Sequence, residues 1–283
     1  MICAWKELLD ILPAWMRQDV DSQGKQTLQE IRLRLQQPPE LICRDRTVSL
    51  KRAVVREDLA FCVNAASRYS PWAAEGTAQG YLTAPGGHRI GLCGRAVVKQ
   101  GGWSGLRALS SLCIRVARDF PGIAAGVPQT GSILILGCPG SGKTTLLRDL
   151  IRQISDRGPG SIAVVDEREE LFPAGPEGPC FWTGRRTDIL SGCGKAQGIQ
   201  AAVRTMGPAF VAVDEITAQE DSLALLQAAG CGVRLLATAH GASAADLEVR
   251  PIYRSLVRNK IFDVFVVMQQ DKSWKLERVC QYI

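Results

Sequence analysis

Residues 137–144 read Gly137-Cys138-Pro139-Gly140-Ser141-Gly142-Lys143-Thr144, with Thr145 next. This is the full G-x-x-x-x-G-K-[ST] spacing of a phosphate-binding loop. Glycines let the backbone take positive φ and close round an anion, and the curled chain turns its N–H groups inward as a nest. The chemistry expected of the side chains is equally specific: Lys143 reaches the β- and γ-phosphates of a nucleotide such as ATP, and the Thr144 hydroxyl ligates Mg²⁺. The helix that begins there aims its positive end at the same phosphates.

A loop of this kind needs a strand before it and a helix after it. Ser132-Ile133-Leu134-Ile135-Leu136 is an apolar run of strand length, and Leu147, Leu150, Ile151 and Ile154 recur at helical spacing. Beyond them strands and helices alternate, which predicts a parallel sheet covered on both faces. Two apolar runs end in the same dipeptide: 162–165 leads to Asp166-Glu167, and 210–213 leads to Asp214-Glu215. The second follows one further helix, with stripe Ile199, Ala202, Val203 and Met206. In NTPases that activate water with a glutamate, an extra strand separates the loop strand from the magnesium strand. Asp214 is therefore expected to hold Mg²⁺ through water, and Glu215 to act as general base or water-positioner. The competing reading, that Asp214-Glu215 caps the next helix, loses ground because Thr217-x-x-Glu220 supplies its own capping box. The first pair is expected to line the nucleotide edge. A third run, 233–240, ends in Thr238-Ala239-His240 at the edge where such sheets bind ligands. Thr238 and His240 are candidates to sense a γ-phosphate, or His240 simply bonds its own loop.

The 283 residues predict two domains. Breakers Pro121, Gly122, Gly126, Pro128 and Gly131 suggest a linker over 121–131, between an α+β domain at 1–120 and the loop-bearing domain at 132–283. In the first domain Trp5, Leu8, Leu9 and Leu12 fall at helical spacing with Lys6, Glu7 and Asp10 opposite, the pattern of a folded helix rather than a signal peptide. Residues 30–35 alternate charged and apolar and end at Pro38-Pro39. Their arginines fit a binding face or, more simply, a solvated one. Leu59, Cys62, Val63 and Ala66 form a helical stripe closed by Pro71. Residues 81–92 read as strand, turn and strand, with His88 in a structural place. The end of the chain, Ile261–Met268 and then Trp274–Cys280, reads as a closing hairpin.

Bulk properties narrow the class. Ten scattered cysteines with no C-x-x-C pair, and only His88 and His240 beside them, do not form a zinc pattern. They fit a reducing, cytoplasmic setting. No apolar run reaches membrane-spanning length. A net charge of +6 permits contact with nucleic acid but does not argue for it, and aromatic–basic interleaving and long basic runs are absent.

The succession of the phosphate loop, Val164-Val165-Asp166-Glu167-Arg168-Glu169-Glu170, Val213-Asp214-Glu215-Ile216 and the 228–240 stretch resembles the secretion and pilus-motor ATPases. The resemblance implies a RecA-like P-loop domain. It places Asp166 and Glu170 in an acidic box at the nucleotide, Glu215 at the magnesium strand end, and His240 in a histidine box with a functional role. Those motors usually have glycine where this chain has Asp214. The whole chain is more similar still to the stage III sporulation AA branch, on residues 30–34, 80–83, 86–91, 110–115 and 186–190. That likeness implies a cytoplasmic, hexameric ATPase using ATP and Mg²⁺. Its partners would be membrane proteins forming a channel between mother cell and forespore, with no direct role for nucleic acid. A ring ATPase completes each site with a neighbour's arginine. Arg186 opens the family-like Arg-Thr-Asp stretch and is the first candidate, with Arg185 and Arg204 behind it. The alternatives are a RecA-like nucleic-acid-dependent ATPase and a nucleotide-gated scaffold. Against the scaffold stands Glu215, a carboxylate that only turnover requires.

Overall fold

The computed structural model describes residues 1–67, 80–99, 102–158, 160–175 and 178–278. Pro71 and residues 279 and 280 lie outside them. The chain divides into two units, Met1–Asp119 with Ala174–Cys180, and Phe120–Pro173 with Phe181–Ile283.

In the first unit α1 (Trp5–Asp10) and α2 (Ala14–Gln23) lead into β1 (Leu28–Arg34), β2 (Glu40–Cys43) and β3 (Thr47–Ser49). Then come α3 (Arg56–Ala66), β4 (Tyr81–Thr83), β5 (Arg89–Lys99) and β6 (Gly102–Arg115). The strands form an antiparallel sheet in the order β3-β2-β1-β6-β5-β4. The alternation of β1 divides its side chains as the pleat requires. Ile31 and Leu33 enter a core with Leu8, Leu12, Leu59 and Cys62, while Glu30, Arg32 and Arg34 take the other face. There Arg32 pairs with Glu30 and Arg34 with Glu40. His88 is fully buried and structural, as its sequence context suggests. Its Nε2 lies 2.8 Å from the Ala4 carbonyl and Nδ1 accepts the Ala117 N–H, so the ring is neutral with the proton on Nε2. Burial also pulls its pKa down. Nearby, Ile2 and Asp119 exchange both backbone hydrogen bonds.

The second unit begins with β7 (Ile133–Leu136), α4 (Lys143–Arg157) and β8 (Ile162–Asp166). After the short β9 (Ala174–Gly175) and β10 (Gly178–Pro179), which group with the first unit, come β11 (Thr187–Ser191), α5 (Lys195–Met206), β12 (Phe210–Val213) and α6 (Gln219–Gly230). β13 (Arg234–Ala239), α7 (Ala244–Val249), α8 (Pro251–Arg258), β14 (Val264–Met268) and β15 (Trp274–Arg278) complete it. The sheet order is β11-β8-β12-β13-β7-β14-β15, parallel except for the hairpin strand β15. β7, β8 and β12 are buried along their whole length, as strands covered on both faces must be. Leu147, Leu150, Ile151 and Ile154 of α4 are fully buried, each stabilising by roughly 1.5–3 kcal/mol.

Local details depart from the sequence pattern. Met206 is 52% exposed, because α5 ends there and Gly207 turns the chain away at φ 54. The expected Thr217–Glu220 capping box does not form. Helix α6 starts later, and the Asp221 carboxylate takes the N–H groups of Thr217 and Ala218, each at 3.1 Å. Residues 121–131 fall in the second unit. The buried Asp149 of α4 accepts the N–H groups of Gly122 and Ala124, and Ala124 and Val127 are buried. Burial alone would raise Asp149's pKa, but those N–H groups and Arg152 together hold it below the usual carboxylate value.

Candidate active site

Strand register sets the site. Leu136 pairs with Ala239, Ala237 with Val213, and Val213 with Val165. Across the carboxyl edge of the sheet the chain therefore presents, in order, the phosphate loop, His240, Asp214-Glu215 and Asp166-Glu167. The histidine strand β13 lies between the loop strand and the Asp214 strand.

The loop is shaped to hold an anion. Gly140 and Gly142 have φ 75 and 102, where a side chain would be strained. A Cβ on Gly137 would stand 2.5 Å from Ser141 Oγ and 2.9 Å from Met268 Cβ. Ser141 Oγ is buried without a hydrogen-bond partner among the described residues. An orphaned hydroxyl in a glycine-rich cradle fits a phosphate oxygen.

Around the loop runs a continuous set of hydrogen bonds. Lys143, 7% exposed, gives its ammonium protons to the carbonyls of Gly137 and Cys138 at 3.0 Å and to His240 Nδ1 at 3.1 Å. An ammonium only donates, so Nδ1 is the acceptor and His240 carries its proton on Nε2, 2.9 Å from Glu215 Oε1. Burial pulls Lys143's pKa down, opposed by the charges of Asp214 and Glu215. Thr144 Oγ1 donates to Asp214 Oδ2 at 2.8 Å, and Thr238 Oγ1 donates to Asp214 Oδ1 at 2.6 Å. Thr238 is fully buried and gives its hydroxyl proton to Asp214. Glu215 has φ 51, an uncommon conformation for a residue other than glycine.

Asp166 behaves differently. Its carboxylate, 2% exposed, accepts the N–H groups of Glu170, Leu171 and Phe172 at 2.8–2.9 Å. Burial raises its pKa to about 6; the Phe172 N–H opposes the rise and the nearby Asp214 charge adds to it. The acidic stretch is thus a folded loop closed over Asp166, and buried Arg148 holds it from below through the carbonyls of Glu170 and Leu171. Asp166, Glu167, Glu170, Lys195, Asp214 and Glu215 line one cavity.

The three candidate arginines are not brought to the loop of their own chain. Arg186 donates to the carbonyls of Ser155 and Asp156 at the far end of α4. Arg185 anchors its backbone N–H on Asp156, and Arg204 lines a groove between α5 and α6. Sequence reasoning missed Lys195, buried on Glu167, which no local pattern marks. It also missed the real partners of Thr238, although a lone hydroxyl in an apolar strand must find one.

The sheet order and the loop at the mouth of α4 define a RecA-like P-loop NTPase fold, preceded by a smaller α+β unit. The same fold is seen in the pilus retraction motor PilT with bound ADP (TM-score 0.64, 16% identity, 95% of this chain and 78% of that one). It is seen again in the Legionella pneumophila ATPase DotB (TM-score 0.57, 17% identity, 94% and 80%). The chain belongs to the family described as Sporulation stage III, protein AA, whose model matches residues 5–278. It is 37% identical over 282 residues to the stage III sporulation protein AA of Bacillus subtilis (strain 168), covering 94% of this chain and 92% of that protein.

Proposed function

We propose that the second unit binds Mg·ATP at residues 137–145 and hydrolyses it, and that the chain is a ring-forming, secretion-type motor. In sporulation it would energise a membrane channel complex between mother cell and forespore. The observation that carries the chemistry is the unbroken hydrogen-bonded set joining Lys143 and Thr144 of the loop to His240, Glu215 and Asp214. Lys143 exchanges the Gly137 and Cys138 carbonyls for phosphate oxygens as the nucleotide enters. Thr144 and Asp214 supply the hard oxygen donors that suit magnesium, which uses one or two protein oxygens plus phosphates. When bound, the metal neutralises charge on those phosphates. Glu215 orients a water and takes its proton as the water oxygen attacks the terminal phosphorus; the bond to the bridging oxygen of the β-phosphate breaks and ADP leaves, while His240, released by Lys143, holds Glu215 in place beside the terminal phosphoryl oxygens. Asp166 and Glu170 contribute by shaping the acidic wall beside it.

The partner reading is a homo-oligomer, a hexamer by analogy, docked on membrane proteins from the cytoplasmic side. Among the described residues no helix is long and apolar enough to cross a membrane. If Arg186 serves a neighbouring site, it must first leave the end of α4. The test is Glu215→Gln, which should keep Mg·ATP binding and lose turnover by about 10²–10⁴-fold, with oligomeric mass measured with and without ATP. Wild-type turnover in that variant would sink the assignment, and a monomer under all conditions would sink the ring.

A further inference from the structure

We infer that Thr238 is a positioning residue: its buried hydroxyl clamps the chain at the carboxyl end of β12, fixing the Asp214 carboxylate and the left-handed backbone of Glu215 together. The inference rests on the hydrolysis reading above for what the clamp serves, and on the geometry alone for its existence. Three successive residues are held by one. Thr238 Oγ1 donates to Asp214 Oδ1 at 2.6 Å and accepts the Glu215 N–H at 2.8 Å, and the Thr238 carbonyl accepts the Ile216 N–H at 3.0 Å.

The arrangement has consequences for each partner. Asp214 divides its two oxygens between the histidine strand, through Thr238, and the phosphate loop, through Thr144. A carboxylate held at one oxygen only would be free to swing about its own side-chain bonds. Glu215 sits at φ 51, a conformation that persists only where the surroundings over-determine it. The bonds to Thr238 on Glu215 and Ile216 are that over-determination, and they aim Glu215 at His240 Nε2. A hydroxyl has a single proton, so Thr238 cannot donate to a phosphate while it holds Asp214. Its part in the reaction is exerted through Asp214 and Glu215.

The test uses the full chain. Thr238→Val keeps the side-chain shape and removes the hydroxyl, and Thr238→Ser keeps the hydroxyl and removes a methyl. For Thr238→Val, kcat for Mg·ATP should fall about 10–100-fold, the range for residues that orient metal and catalytic groups, with KM little changed. Thr238→Ser should recover most of the turnover. A second readout needs no nucleotide: in denaturant unfolding, Thr238→Val and Asp214→Asn should be coupled, the double variant losing less than the two single losses combined. Additive losses overturn the clamp whether or not the chain hydrolyses ATP. Turnover by Thr238→Val at the wild-type rate overturns it as well. If the valine chain does not fold, a folded Thr238→Ser chain slowed by more than about tenfold overturns it too. A wild-type chain without hydrolysis but with the coupling intact refutes the hydrolysis reading and leaves the clamp standing.

Discussion

At the end of β8, Asp166 turns back on its own loop and collects three backbone N–H groups; at the end of β12, Asp214 turns toward two side chains from other elements, Thr144 and Thr238. Both aspartates are followed by glutamate and both close a fully buried parallel strand. What separates them is what the chain does next and what lies beside them. After Asp166, Glu169 at φ 53 folds the segment over the carboxylate, and Arg148 braces it. After Asp214, Glu215 is itself the residue at positive φ, and buried Ile216 carries the chain on toward α6. β12 has the histidine strand for a neighbour, so its carboxylates meet polar groups from the loop side. An identical dipeptide thus organises its own loop in one place and is tied to the phosphate loop and the histidine strand in the other.

That contrast can be broken most directly by neutralising each aspartate. Asp214→Asn should reduce Mg-dependent turnover by about 10²-fold or more, since it removes an oxygen donor suited to the metal, while Asp166→Asn should leave turnover within a few-fold once the chain is folded. The reverse pattern in a steady-state assay would exchange the two roles. Next in size is stability. Asp166→Asn replaces one acceptor oxygen by an amide facing backbone N–H groups, at a cost of about 1–3 kcal/mol in denaturant unfolding. Equal stability of mutant and wild type would show that the loop does not depend on Asp166.

A subtler difference appears with pH. Asp166 titrates near 6 in the folded chain against an ordinary value of 3.8, so the folded state holds a proton that the unfolded state has released between those values. Its contribution to stability is therefore greatest at the acid side of that window and declines as pH rises through about 6. Carboxyl ¹³C titration should find the midpoint near 6, and Asp214→Asn should lower it by removing a neighbouring negative charge. A midpoint unaffected by Asp214→Asn would mean the two carboxylates do not sense each other. The smallest effect belongs to Glu167, the second member of the first pair. Glu167 is 37% exposed on its side chain and pairs with Lys195. Glu167→Gln should change turnover less than a few-fold, against the large loss for Glu215→Gln.

The elements of this site were legible because they rest on local pattern. The loop, its strand, the α4 stripe and the two Asp-Glu strand ends each occupy a short run of sequence. Partners were less so. Lys143 meets His240 across 97 positions and Thr144 meets Asp214 across 70, and only the sheet order brings them together. For the same reason the sequence shows no partner for Thr238, whose neighbour across the register is β12. Capping was misread one residue along: Glu220 fits the motif by type, but Asp221 has the reach to the N–H groups that the helix start leaves open. The breaker-rich 121–131 stretch reads as linker because proline and glycine say nothing of Asp149, which draws it onto α4.

The pairing of Ile2 with Asp119, with His88 tying Ala4 to Ala117 beside it, brings the entry and exit of the first unit's main segment together. A segment whose ends meet is a cassette. It can be lifted from one chain and set into another with little backbone to bridge, because adjacent ends are what domain insertion and circular permutation require. The six-stranded sheet is in that sense portable.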